Sequence, residues 1–148
     1  PQLSGRYLPV GTTDSERAFC FLLDTLASRF GPTAPSYEHL LDTMAEVAAI
    51  LRAYGPANFL LSNGRWLIAH CSTDLHYIVR RAPFNQAHLK DDDVSIDFSE
   101  VTTDTDRVTV IATTPLTDNE AWIRIAPGSL MLFRAGEPVE TRHANQAA

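Results

Sequence analysis

The stretch 57-ANFLLSNGRWLIAHC-71 is the clearest signal of the fold. Apolar residues on both sides of its Asn-Gly pair alternate with the two-residue period of β-strands. Asn63-Gly64 is a strong signal for a two-residue hairpin turn. That turn would pair Leu61 with Trp66, and it leaves apolar side chains on both faces of the hairpin. A sheet of this kind is covered on both sides, which predicts a layered structure.

Further strand patterns follow the hairpin: 75-LHYIVRR-81, 94-VSIDF-98, 107-RVTVIAT-113, 121-AWIRI-125 and the hairpin 129-SLMLFRAGEPVET-141, which turns at Ala135-Gly136. Strands linked by hairpins form antiparallel sheet. Toward the C-terminus we expect a disordered tail within residues 136–148, because its end, 142-RHANQAA-148, has little to pack.

Two helical patterns precede these strands. The first begins after Thr13 and ends at Gly31-Pro32, and its apolar residues recur at the spacing of one helical face: Phe19, Leu22, Leu26 and Phe30. The second begins near Ser36 and ends at Gly55-Pro56, with a stripe formed by Leu40, Met44, Val47 and Leu51. Helices segregated from antiparallel strands predict an α+β fold, which we expect to form a single domain over residues 1–148.

Composition narrows the class of protein. The chain has 148 residues, of which 45% are hydrophobic and 20% charged, as in soluble globular domains. No apolar run is long enough to cross a membrane and no signal segment opens the chain, which predicts a cytoplasmic protein without a membrane partner. The net charge of -6 argues against nucleic-acid binding.

Few residues match a known catalytic or metal motif. P-loop, GxGxxG and GxSxG patterns are absent, so we expect no cofactor. Cys20 and Cys71 lack CxxC spacing, so we expect both to be buried, unreactive thiols. His70 and His76 lack the i, i+4 spacing of a helical zinc site and are expected to be ordinary strand residues. The acidic run 91–93 lacks the spacing of a calcium loop and predicts a solvated loop.

The segment Thr13-Asp14-Ser15-Glu16 opens the first helix. It fits a capping box, with Thr13 as N-cap and Glu16 as the third helical residue. Asp14 is then the first helical residue, where a carboxylate complements the positive end of the helix dipole. The same position would present that carboxylate to a substrate ammonium group, and the spacing supports both interpretations.

Three stretches resemble class II glutamine amidotransferases, and together they extend from Arg6 to Phe133. The first contains the T-D-[ST]-E signature, the second is similar to a hairpin region of small bacterial members, and the third carries an N-E-x-W stretch and a P-G-x-x-x-x-F ending. They are 6-RYLPVGTTDSERAFCFLL-23, 58-NFLLSNGRWLIAHCSTDLHYIVRRAPF-84 and 108-VTVIATTPLTDNEAWIRIAPGSLMLF-133.

This resemblance implies an N-terminal-nucleophile hydrolase fold, an αββα four-layer sandwich with antiparallel sheets. It also implies hydrolysis of the glutamine side-chain amide to glutamate and ammonia by an N-terminal cysteine. The acidic residue of the signature binds the α-amino group of glutamine in the family. By motif match this role falls on Asp14, with Thr13 beside the same ligand.

The chain departs from the family pattern at its start. It begins with Pro1 instead of cysteine, and the thiols of Cys20 and Cys71 have no α-amine beside them to act as base. No stretch matches the family's substrate-binding arginine or oxyanion motif, since Asn63-Gly64 fits a hairpin turn. The chain thus resembles the C-terminal part of the domain and contains no catalytic residue.

The implied partners are glutamine, the N-terminal segment of the same protein and an ammonia-accepting enzyme. Three alternatives stay open. The substrate could be another γ-glutamyl compound, because an amine clamp does not select the leaving group. The chain could instead be a non-catalytic module that binds an amino acid or a partner protein. The amine of Pro1 could also act as a general base, although the loop-like sequence around it does not favour this.

Overall fold

The computed structural model describes residues 1–82, 87–89, 95–96, 103 and 105–143. The chain divides into two compact units, Pro1–Ala57 with the end of the chain from Arg142, and Asn58–Thr141. The described elements are α1 (Asp14–Phe30), α2 (Tyr37–Arg52), β1 (Phe59–Ser62), β2 (Leu67–His70), β3 (His76–Arg81), β4 (Ala87–His88), β5 (Ser95–Ile96), β6 (Arg107–Ala112), β7 (Ile123–Arg124), β8 (Ser129–Arg134) and β9 (Glu137–His143).

Helix α1 has the predicted ends but not the predicted buried face. Thr13 is its N-cap and Gly31, with a φ of 58°, follows its last residue. Phe19 is 50% exposed, so its assignment to the buried stripe was wrong. Leu22 is buried on one side of the helix, while Cys20 and Asp24 are buried on roughly the opposite side. Because α1 is covered on two sides, a single apolar stripe does not describe its contacts.

Helix α2 agrees closely with the sequence pattern. Ser36 is the N-cap, and its hydroxyl oxygen accepts a hydrogen bond from the backbone N–H of His39 at 3.3 Å. None of the helices in the described part of the chain combines the length and the apolar character needed to cross a membrane. The predicted stripe is confirmed, since each of its members is buried: Leu40, Met44, Val47 and Leu51.

The second unit is built on antiparallel sheets. One has the strand order β1-β2-β8-β9, another β6-β3-β7, and β4 pairs with β5. The ring of Tyr77 on β3 meets the ring of Phe133 on β8 edge-on, with centroids 5.5 Å apart. The two larger sheets therefore pack against each other through a buried cluster formed by Ala69, Cys71, Leu75, Tyr77, Ile125, Met131 and Phe133. Two helices with antiparallel sheets confirm the mixed α and β architecture.

The first hairpin has a wider loop than the sequence predicted. Ser62 pairs with Leu67, so four residues connect β1 and β2 and the predicted two-residue turn is wrong. The side-chain oxygen of Asn63 accepts hydrogen bonds from the backbone N–H groups of Arg65 and Trp66, at 3.0 and 3.3 Å, which stabilises the wider loop. The pairing shifts by two residues, so every side chain keeps its predicted face.

The prediction of two covered faces holds for β2 and fails in part for β1. On β2, Ile68 and His70 point to one face and Ala69 to the other, and all three are fully buried. Leu60 on β1 is 52% exposed. The difference arises because β1 is the edge strand of its sheet, whereas β2 has a strand on each side.

Two expectations concern segments near the limits of the described residues. Of the strand predicted over 94–98, the structure describes only Ser95 and Ile96, and the acidic run 91–93 lies outside the described residues. Strand β9 over Glu137–His143 pairs with β8 and confirms the predicted hairpin over 129–141, and it extends two residues into the segment 142–148 that was expected to have little to pack. Residues 144–148 lie outside the described residues.

The turn between β8 and β9 generates a stability prediction. Gly136 has a φ of 73°, and a Cβ there would overlap the backbone carbonyl of Arg107. We expect Gly136→Ala to lower the free energy of unfolding by more than about 2 kcal/mol, since steric overlap adds to the cost of left-handed backbone. Urea denaturation measures this change.

Gly64→Ala is the matched control. Gly64 also has a positive φ, of 84°, but a Cβ there would meet nothing within 4 Å. Gly64→Ala should therefore lower the free energy of unfolding only by the strain of left-handed backbone, about 1 kcal/mol. Equal losses in the two variants would show that the contact with Arg107 is irrelevant.

Candidate functional site

The carboxylate of Asp14 stands exposed at the first residue of α1. Its Oδ1 atom accepts a hydrogen bond from the backbone N–H of Ser15 at 2.8 Å. Among the residues that the structure describes, no hydrogen bond engages Oδ2. This side chain therefore retains acceptor capacity toward solvent, at the end of a helix where the dipole favours negative charge.

Thr13 lies next to Asp14 and forms the cap predicted from the sequence. Its hydroxyl oxygen accepts a hydrogen bond from the backbone N–H of Glu16 at 3.2 Å. The cap fixes the first turn of α1 and thereby the backbone of Asp14. The structure thus brings both sequence-predicted residues, Thr13 and Asp14, to the same helix end.

Glu16 does more than the capping box predicted. In a capping box this carboxylate returns to the backbone N–H of the N-cap. Here it reaches further back along the chain, where Oε1 accepts from the N–H of Val10 at 2.7 Å and Oε2 from the N–H of Gly11 at 2.8 Å. Sequence reasoning did not predict this contact, although a glycine five residues before the glutamate was a signal that could have been used.

Asp24 fixes the beginning of the same segment. It is 5% exposed, and its Oδ2 accepts a hydrogen bond from the backbone N–H of Ser4 at 2.7 Å. Burial pushes the pKa of this carboxyl upward, but hydrogen bonding to Ser4 and the charge of Arg6 outweigh that effect and lower it. Side chains of α1 therefore hold the residues that precede the helix at two places, near Ser4 and near Gly11.

A second polar network involves the N-E-x-W stretch. Glu120 accepts two hydrogen bonds from Arg80, at 2.7 and 2.5 Å, and one from the hydroxyl of Thr117 at 2.6 Å. Trp122 donates its ring N–H to Thr117 at 2.9 Å. The hydrogen bond from Arg80 is the main reason why the pKa of Glu120 is lowered. The network connects this loop to β3, which gives the stretch a structural role.

The two thiols are buried, as the sequence predicted. Cys71 donates a hydrogen bond from Sγ to the carbonyl of Ile125 at 3.3 Å. Burial and the nearby charge of Asp74 raise the pKa of Cys71, which disfavours the nucleophilic thiolate. Neither cysteine has the exposed, activated environment of a catalytic thiol.

The histidines in strands are engaged locally. The Nδ1 atom of His70, which is fully buried, lies 3.2 Å from the carbonyl oxygen of Ser129. On β3, Nδ1 of His76 lies 3.0 Å from the carbonyl oxygen of Thr113. Within the described ranges, no three His, Cys, Asp or Glu side chains cluster closely enough to hold a metal ion.

Comparison with known proteins places these features in a family. The family model for class II glutamine amidotransferases matches residues 1–148. Over 136 residues the chain is 52% identical to "Putative glutamine amidotransferase YafJ" of Escherichia coli (strain K12), covering 92% of this chain and 53% of that protein. Over 140 residues it is 44% identical to a "Putative glutamine amidotransferase" of Haemophilus influenzae, covering 94% of this chain and 47% of that protein.

A solved structure agrees with these sequence matches. It is the crystal structure of a "predicted glutamine amidotransferase from Pseudomonas aeruginosa PA01", with a TM-score of 0.82 and 46% identity, covering 95% of this chain and 55% of that one. The chain therefore belongs to the class II glutamine amidotransferase family, as its resemblance predicted. It spans about half the length of these relatives.

The Arg80–Glu120 pair should contribute measurably to stability. Both side chains are only 16% exposed, and Glu120 accepts two hydrogen bonds from the guanidinium of Arg80 and one from the hydroxyl of Thr117. Glu120→Gln should lower the free energy of unfolding by about 1.5–3 kcal/mol, the range for hydrogen bonds to charged groups. Asp74→Asn is the control, because Asp74 and its partner Arg124 are 60% and 58% exposed and surface pairs contribute below about 1 kcal/mol. Equal losses in urea denaturation would contradict this.

The lowered pKa of Asp24 predicts a pH-dependent contribution to stability. The ordinary pKa of aspartate is about 3.9, and the folded value lies below it. The carboxylate therefore stabilises the folded chain above that pH, and its contribution disappears as the pH falls through the folded pKa.

We expect the stability difference between the unmodified protein and Asp24→Asn to be largest near pH 7 and to shrink below about pH 4. Urea denaturation at both pH values measures it, and comparing the two proteins cancels the titration of other carboxyls. A difference that stays constant with pH would show that Asp24 does not hold Ser4 through its charge.

Proposed function

We propose that this chain forms the C-terminal part of a glutamine-hydrolysing domain and that Asp14 binds the α-ammonium group of glutamine. The main observation in support is that the carboxylate of Asp14 is exposed at the start of α1, which the Thr13 cap fixes. Among the described residues, no hydrogen bond engages its Oδ2 atom. Family membership supports the same role, because Asp14 occupies the acidic position of the T-D-[ST]-E signature.

The chemistry of the ligand suits this position. An ammonium group has three hydrogen-bond donors and a full positive charge, so a carboxylate with free lone pairs is its natural acceptor. The N–H groups of the first helical turn stabilise the negative charge of Asp14 while it binds the cation. Thr13, one residue earlier, lies beside the same ligand in this proposal.

The proposed reaction uses a thiol from another part of the protein. An N-terminal cysteine in the segment preceding this chain would attack the side-chain amide carbon of glutamine, with its own α-amine taking the thiol proton. That proton passes to the departing nitrogen, which leaves as ammonia. Water then hydrolyses the thioester to glutamate and restores the thiol. The complete domain would have the αββα four-layer arrangement, and no cofactor takes part in these steps.

The proposed partners follow from this chemistry. In this proposal the segment that carries the nucleophile is part of the same protein, and the length of the matched relatives, about twice that of this chain, supports it. Ammonia would be released or passed to an accepting enzyme. We further propose a cytoplasmic location, where glutamine is abundant.

A second substrate class is compatible with the same clamp. Asp14 would contact only the amino end of the ligand, so it would also accept other γ-glutamyl compounds. Measuring product release from glutamine and from several γ-glutamyl conjugates distinguishes them. Preference for a conjugate would move the assignment away from glutamine and keep the fold and the clamp.

Replacing Asp14 tests the proposal in the full-length protein. Asp14→Asn keeps the size of the side chain and removes the charge, so it should raise the KM for glutamine roughly 10- to 100-fold, as expected for about 1.5–3 kcal/mol of charged hydrogen bonding. The kcat should change less, because the clamp lies away from the reacting amide. Steady-state ammonia release measures both constants.

Glu38→Gln is the matched control, since Glu38 lies in the first turn of the other helix, α2. It should leave the KM for glutamine unchanged. If Asp14→Asn behaves like this control, Asp14 is only a helix-terminal residue and the proposed clamp is wrong.

A further inference from the structure

We propose that Glu16 is a positioning residue that holds the Asp14 clamp in place, an inference that rests on the proposed function of Asp14. The two oxygens of Glu16 accept from successive backbone N–H groups, Oε1 from Val10 and Oε2 from Gly11. A two-point contact of this kind fixes both the position and the orientation of a peptide unit. We refer to it as the Glu16 seat.

The seat and the cap together enclose Asp14. The Glu16 side chain reaches back to Gly11, while the Thr13 side chain reaches forward to the N–H of Glu16. One hydrogen bond thus closes the segment from Gly11 to Glu16, and a second closes the shorter segment from Thr13 to Glu16. Asp14 lies within both segments, so its backbone has little freedom and chiefly its own side-chain torsions remain.

The absence of a side chain at Gly11 is consistent with the close approach of the Glu16 carboxylate. A Cβ at this position would lie 2.8 Å from Oε2 of Glu16. A methyl group at this position would require the carboxylate of Glu16 to move away from the N–H of Gly11, so the observed contact is best accommodated by glycine. The sequence accordingly combines a glycine and a glutamate whose spacing matches the contact.

Packing does not explain the geometry of this segment. The side chain of Val10 is 98% exposed, so no apolar burial holds the chain there. Exposed hydrogen bonds contribute little to global stability, since water competes for the same groups. Loss of the seat should therefore loosen the loop around Asp14 and leave the rest of the fold intact, which separates positioning from general destabilisation.

The test uses the full-length protein with glutamine as substrate. Glu16→Gln keeps the shape but offers one acceptor oxygen, and its amide group would face the second N–H. We expect Glu16→Gln and Gly11→Ala each to raise the KM for glutamine about 3- to 10-fold, the range for losing about one hydrogen bond, with kcat within about twofold. Glu46→Gln, which removes an exposed carboxylate on α2, should change neither constant.

Two further readouts distinguish positioning from capping. Hydrogen exchange at the amides of Val10 and Gly11 should accelerate in Glu16→Gln while the urea midpoint stays close to that of the unmodified protein. In an Asp14→Asn background, Glu16→Gln should raise the KM by less than twofold. The reason is that Glu16 acts by positioning the Asp14 carboxylate, whose charge is already removed in that background.

The outcomes separate the two proposals. An increased KM in Asp14→Asn with no change in Glu16→Gln and Gly11→Ala overturns the positioning role and leaves the clamp standing. An unchanged KM in Asp14→Asn refutes the clamp, and the positioning role with it. Additive effects in the double variant would show that Glu16 acts independently of Asp14, which also overturns this inference. If Glu16→Gln is too unstable to assay, Gly11→Ala decides the question.

Discussion

Burial of both faces of the central strands is the constraint on which the rest of the second unit depends. On β2 and β8 the side chains alternate between two faces, and both are covered: Ile68, His70, Leu130 and Leu132 on one, Ala69, Met131 and Phe133 on the other. Each large apolar side chain buried in this way contributes about 1.5–3 kcal/mol. These strands therefore require cover on either side, and polar groups that need solvent must lie at edges, loops and helix ends.

Three carboxylates of α1, two in its first turn and one further along the helix, have different surroundings. Asp14 is exposed and has an unengaged oxygen among the described residues, Glu16 holds two backbone N–H groups, and Asp24 is buried and holds the N–H of Ser4. Their surroundings therefore distinguish a carboxylate with a free acceptor, proposed to bind a ligand, from two whose acceptors are used by backbone N–H groups. The proposed clamp depends on this separation, since a carboxylate already saturated by the protein could not bind an ammonium group.

The proposed function divides recognition and chemistry between two parts of one protein. This chain spans about half of its relatives and contributes a candidate recognition group, while the proposed nucleophile belongs to the preceding part. The thiols present here are unsuited to that role, because Cys71 is buried with a raised pKa and Cys20 is buried within α1. The Arg80–Glu120 pair connects the N-E-x-W stretch to β3 and so gives that stretch a structural role.

The amino-acid sequence alone predicted both helix starts, the end of α1, the strand faces, the buried stripe of α2 and the position of Asp14, but it placed the end of α2 at Gly55-Pro56 instead of Arg52. These features depend on residues a few positions apart, whose periodicity and capping chemistry can be read directly. The four-residue loop after Ser62 and the contacts of Glu16 are local, but they depend on side-chain geometry that periodicity does not specify. The folded structure was needed to establish the exposure of Phe19 and Leu60 and the pairing of Glu120 with Arg80. Each of these depends on where the chain returns in space. Hydrogen bonds and burial are set there by distant segments, as with Arg80 and Glu120, which lie 40 residues apart.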